Sequence, residues 1–118
     1  LSRTLQALEN EGEKVVIVGP VPEVSAYVPE ALAKQRYFGI RKDIRPALPE
    51  FNRRQGFVLG VLTDVARKYP VTVLYPHRVL CPEAHCMVEQ NGYALYADAN
   101  HLSTHGAGLL TREMEAAF

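Results

Sequence analysis

Two short apolar runs constrain this chain more than anything else in it. VVIV, residues 15–18, follows a helix-like segment and a glycine; VTVL, residues 71–74, follows a long amphipathic segment and a proline. Continuous β-branched runs without polar alternation are the pattern of strands covered on both faces, which belong to parallel sheets flanked by helices. Before the first run, LSRTLQALENEGEK carries Leu1, Leu5 and Leu8 at helical spacing, with Gly12 as a stop. Before the second, ALPEFNRRQGFVLGVLTDVARKYP places Phe51, Val58, Leu62, Val65 and Tyr69 on a helical repeat closed by Pro70. Gly56 and Gly60, four apart on that helix, predict its close packing on a sheet. The order helix, strand, loop, helix, strand predicts an α/β layered fold with a parallel sheet.

The segment from Val21 to Pro49 is proline-rich and lacks strong periodicity, with one short helix expected around Pro29 to Gln35. A stretch of this length is usually functional or an insertion over the surface. Downstream, Asn91-Gly92 is a hairpin turn signal flanked by Met87-Val88 and by Tyr93 and Leu95. STHGAGLLTREMEAAF predicts a final helix, capped by Ser103 or Thr104 and continuing through Leu109, Leu110 and Met114. At 118 residues the chain fits one domain. Its 13 basic and 13 acidic side chains cancel, so no net field draws nucleic acid or an anionic membrane. No apolar run is long enough to cross a bilayer. The chain opens on Leu1 without a signal-peptide pattern, and the expectation is a processed or excised piece of a longer polypeptide.

Cys81 and Cys86 lie in LCPEAHCMV. Four intervening residues, Pro82 among them, suit a small loop closed by a disulfide, which implies an oxidising compartment. Two alternatives stand beside it. The thiols are free and buried, or they join His77 and His85 in a metal site, although structural zinc usually takes a second, distant ligand pair that is missing here.

Near the C-terminus, YADANHLSTHGAGLL sets Asp98 three residues before His101. Imidazole serves as a general base because its ordinary pKa lies near neutrality. A carboxylate bonded to Nδ1–H fixes the tautomer, frees Nε2 and stabilises the imidazolium that forms. As a bare pattern D-x-x-H also arises by chance, and an aspartate beside a helix start is commonly a cap.

The surroundings narrow the reading. The stretch resembles the D-x-x-H-L-S-x-x-G-A signature of SGNH (GDSL-like) hydrolases, most closely in the extracytoplasmic domains fused to acyltransferase-3-type membrane proteins. KVVIVGPVPEV, which is similar to a core strand and loop of those domains, and the nearby cysteine pair support the resemblance. It implies a three-layer α/β/α, flavodoxin-like domain with a parallel sheet. It also implies O-acyl transfer or ester hydrolysis on bacterial surface polysaccharide at the periplasmic face of the inner membrane, with no cofactor and no metal. Asp98 and His101 then supply two members of a Ser–His–Asp triad. Ser103 is a cap, and His105 serves packing or the surface.

The family's N-terminal G-D-S block and its oxyanion-hole glycine and asparagine blocks are missing from this chain. Ser2 lies in a helical segment and Ser25 in a proline-rich loop, and neither has a glycine elbow. The chain is therefore expected to be the C-terminal part of one SGNH-like domain, residues 1–118, with the serine on preceding sequence and activity lost in this piece alone. Expected partners are an acyl donor, a glycan acceptor and an upstream integral-membrane acyltransferase domain. A sheet lacking its first strands leaves an open edge and an apolar face, so homo-oligomers of the piece are expected too. The competing functions are a non-catalytic α/β module that binds or regulates a membrane partner, and a compact metal-binding domain.

Overall fold

In the computed structural model, which describes all residues from Leu1 to Phe118, both apolar runs are strands and they pair with each other. Helix α1 (Ser2–Asn10) leads to β1 (Val15–Val18), with Gly12 at φ 75° in the left-handed turn between them. Parallel neighbours need a crossover, which α2 (Val28–Phe38) and α3 (Leu48–Lys68) provide. It returns the chain to β2 (Val71–Leu74), in parallel register from Val15 opposite Val71 to Val18 opposite Leu74. Helix α4 (Pro76–Leu80) follows, then the antiparallel hairpin of β3 (Glu89–Gln90) and β4 (Tyr93–Ala94). Asn91 at φ 51° and Gly92 at φ 83° form its turn, the paired left-handed conformation that asparagine and glycine tolerate best. Helices α5 (Thr104–Gly108) and α6 (Thr111–Ala117) complete the chain. The architecture is α/β, with a two-stranded parallel sheet. No helix is long and apolar enough to cross a membrane.

Three of the prolines start helices. Pro29, Pro49 and Pro76 occupy the first turns of α2, α3 and α4, where the missing N–H would have no partner and the ring's fixed φ suits the helix. The proline-rich segment is thus far more ordered than its composition indicates. Its helix runs from Val28 to Phe38, past the expected Gln35, and stops at Gly39 with φ 65°.

Several expectations are corrected. The single C-terminal helix is two: at its middle Leu109 N–H bonds Gly106 O and Leu110 N–H bonds Ala107 O, tightened i to i−3 links that end α5. Gly56 and Gly60 do not pack on the sheet, because a side chain built at either meets nothing within 4 Å. Leu62 and Val65 carry the packing of α3 instead, with Phe51 at its start. Val58 is on the outside, 41% exposed. Nor is β1 covered on both faces: Val15, Val16 and Ile17 are half-buried and Val18 is 49% exposed. The sheet has two strands only, and no strand lies beyond β1.

The main core lies beyond the sheet, beneath the loops. Val24, Val28, Leu32, Ile44, Val88, Leu95 and Tyr96 form one buried cluster. Leu80, Cys81 and Cys86 form a second, and Val21, Leu102 and Leu109 pack against both. Outside this region the chain is extended. It exposes 7807 Å², against about 6,400 Å² for a compact monomer of its mass. Its radius of gyration is 16.5 Å, where about 13 Å is usual for this length.

Candidate functional site: an aspartate–histidine pair on a pinned turn

The hairpin delivers the chain into its most constrained stretch. After β4, Leu95 and Tyr96 are both buried, and the Tyr96 hydroxyl donates to Pro22 O at 2.7 Å. Burial also pushes the Tyr96 phenol well above its ordinary range, so it stays a neutral donor. Tyr96 and Leu102 then bridge as antiparallel partners, and Ala97 N–H bonds His101 O at 2.8 Å. Residues 97–101 are pinched into one turn.

The Asp98 side chain organises that turn. Its Oδ1 accepts from the backbone N–H of Asn100 at 2.8 Å and of His101 at 2.7 Å. Its Oδ2 lies 2.7 Å from His101 Nδ1. The two backbone donors first, and the imidazole after them, hold the carboxyl down at about 2. Asp98 is therefore an anion under ordinary conditions, and with Nδ1–H as the donor the bond leaves Nε2 as the free nitrogen. The exposures differ in the useful direction, 35% for the Asp98 side chain and 76% for His101. The orienting group is sheltered and the imidazole is presented to solvent.

The turn is anchored from behind. Ala99 O accepts from Val24 N–H at 2.7 Å, and Asp98 O accepts from Val28 N–H at 3.3 Å. Val28 opens α2, so the second bond satisfies a first-turn N–H that the helix cannot satisfy itself. The loop after β1 and the loop after β4 are thus in direct contact. On the far side Ser103 caps α5: its hydroxyl donates to Ala94 O at 2.6 Å and accepts from Gly106 N–H at 3.1 Å. Gly106 is crowded. A Cβ there would lie 2.0 Å from Leu95 O, so α5 seats this closely on the backbone just after β4 because the position is bare.

No serine meets the imidazole. Ser103 is committed to its cap, Ser25 lies in the exposed loop after Val24, and Ser2 is in α1. His105 stacks on Tyr93, ring centroids 3.9 Å apart, in accord with a packing or surface role. Cys81 and Cys86 are joined as a disulfide, which removes both from any metal-ligand set with His77 and His85. His77 packs against Phe51 with ring centroids 4.8 Å apart, and burial above all lowers its pKa.

A concavity of about 480 Å³ is lined by Glu23, Asp43, Arg45, Glu50 and Arg54 among others, and by neither Asp98 nor His101. It adjoins the pair through Val24. Nothing in the sequence reading pointed to it. The one available signal was the alternation of acids and arginines in the 43–54 stretch, which also fits an ordinary solvated surface.

Searches of curated proteins and of solved structures match nothing. A family model described as "SGNH domain (fused to AT3 domains)" matches residues 1–116. An acid–histidine pair on the turn before a capped helix, in an α/β chain matched almost end to end, leads to one assignment: the chain belongs to the SGNH domain family, in the form fused to AT3 domains.

Proposed function

We propose that this chain supplies the aspartate and histidine of a Ser–His–Asp acyl-transfer site. The serine, the remaining strands of a three-layer α/β/α domain and a membrane-embedded acyltransferase domain lie on preceding sequence. The observation that carries the reading is the 2.7 Å bond from Asp98 Oδ2 to His101 Nδ1 beneath an exposed ring. The all-apolar β1, with a strand neighbour on one side only, supports the structural half, since natural sheets guard their edges.

In this reaction His101 Nε2 takes the serine proton as the serine oxygen attacks the acyl carbonyl. The leaving group departs with that proton and an ester on serine remains. An acceptor hydroxyl then loses its proton to Nε2 and attacks the ester, and the serine oxygen leaves with the proton. Asp98 holds the ring and stabilises the imidazolium at both stages. The acceptor is a sugar hydroxyl of bacterial surface polysaccharide and the acyl group is acetyl; water as acceptor makes the same site an esterase. The domain works outside the cytoplasm, at the periplasmic face, where the Cys81–Cys86 disulfide persists.

The test is His101→Gln in the AT3-fused protein, with O-acetyl transfer to polysaccharide as readout. Turnover should fall by about six orders of magnitude, as for the histidine of other serine triads. Transfer at the unmodified rate would remove His101 from the chemistry and favour the non-catalytic module.

A further inference from the structure

The Val24 contact connects the pinned turn to a much larger surface. The 480 Å³ groove runs between the loop after β1, the segment 43–47 and the first turns of α3. A second groove, about 390 Å³, lies between that same segment, α2 and β3, and both are lined by Asp43, Ile44 and Arg45. The two concavities thus share one low ridge, an arrangement that suits an extended ligand crossing it.

The lining restricts the ligand's chemistry. Arg54 donates to Glu23 at 2.9 Å, and Arg45 grips Asp43 through Nε at 3.0 Å and Nη2 at 2.8 Å. Each guanidinium facing the first groove is already matched by a carboxylate and Glu50 adds another, so a phosphate or carboxylate ligand would meet more repulsion than attraction there. Apolar surface from Val24, Ile44 and Ala47 alternates with these charged groups, and Phe51 is buried. The paired groups nonetheless keep unused N–H donors and oxygen lone pairs, because a guanidinium offers five donors and a carboxylate about four acceptor sites. Ser25 and Gln55 add a hydroxyl and an amide to the same wall. Ion-paired donors and acceptors in an open trough match a neutral chain of hydroxyls.

We propose that these two grooves form one track for the acceptor saccharide, with Glu23, Arg45, Arg54 and Gln55 as its hydrogen-bonding wall. The chain would cross the Asp43–Arg45 ridge, and the loop at Val24 would bring it to the turn carrying His101. The word acceptor rests on the acyl-transfer reading above; the saccharide site does not.

Binding is measured on the ¹⁵N-labelled 118-residue chain by NMR, with chitotetraose and maltotetraose as neutral probes and inorganic phosphate as the anionic one. The saccharides should give saturable shifts clustered on Glu23, Ser25, Arg45 and Gln55. Arg54→Ala should weaken binding about tenfold, because it removes hydrogen bonds to a charged group. Gln55→Ala, which breaks no ion pair and so spares the fold, should weaken it about threefold. Arg67→Ala, near the far end of α3, should have no effect. Saccharide shifts absent from the groove, groove shifts with phosphate alone, or undiminished binding by both groove variants would each overturn the proposal. No acyl chemistry enters this assay, so its failure is separable from failure of the His101→Gln turnover test.

Discussion

Replacing Gly106 by alanine probes the seat of the site with one methyl group. The new Cβ would stand 2.0 Å from Leu95 O, 2.9 Å from Leu95 C and 3.2 Å from Leu102 Cδ2. Two of these are backbone atoms that cannot rotate aside, so α5 must retreat by about 1 Å to bring the closest contact even to 3.0 Å. That movement strains the Ser103 cap, whose bonds to Ala94 O and Gly106 N–H are 2.6 and 3.1 Å. Overpacking of this kind costs about 1–3 kcal/mol, and a lost cap about 1 kcal/mol. Alanine's better helix propensity returns up to about 1 kcal/mol. The net destabilisation is about 2–3 kcal/mol, which for a chain of this length lowers Tm by about 10 °C. Circular-dichroism melts of Gly106→Ala and Gly108→Ala form the assay. Gly108 has nothing within 4 Å, so its alanine should be neutral or stabilising by about 0.5 kcal/mol. Equal melting of the two variants would refute the steric account of this glycine.

Three further outcomes follow from the same geometry. The Asp98 carboxyl is held at about 2, so its contribution to the turn is complete above the ordinary carboxylate range and fades as pH falls through that value; ¹³C NMR of Asp98 reads it, and a midpoint near 3.9 would contradict the hydrogen bonding. Reducing the Cys81–Cys86 disulfide, which closes a loop of sequence separation 5, should cost about 2 kcal/mol of stability in denaturant titrations, and an unchanged midpoint would refute its constraining role. The unguarded β1 edge should drive concentration-dependent self-association of this chain in sedimentation experiments, which Val18→Lys should suppress; a monomer at all concentrations counts against a missing neighbour strand.

The elements legible from sequence are those whose cause is local. VVIV and VTVL are strands because of their own side chains, Asn91-Gly92 turns because both residues accept positive φ, and Ser103 caps the helix it opens. The Asp98–His101 bond belongs to the same class, since three residues of separation on a tight turn suffice to make it. What stayed hidden depends on distant partners. The five-residue α4 is too short to show a period, and Gly106 is explained only by the Leu95 carbonyl above which it sits. Gly56 and Gly60 misled because spacing reveals a face of a helix but not whether anything covers it. The same limit hid the exposure of β1, whose apolar sequence implies cover on both faces while its residues are half-buried or exposed. The grooves gather residues 23 to 89 through tertiary contact, so no linear pattern announces them.

The account stands on the carboxylate at position 98 holding the imidazole at 101 with Nε2 outward. Its most direct measurement is ¹⁵N NMR of the His101 ring at alkaline pH, where an imidazole is neutral, in the native chain and in Asp98→Asn. The native ring should be the Nδ1–H tautomer with Nε2 unprotonated, and the asparagine variant should lose that preference. A native ring protonated on Nε2, or one indifferent to the aspartate's removal, would contradict it.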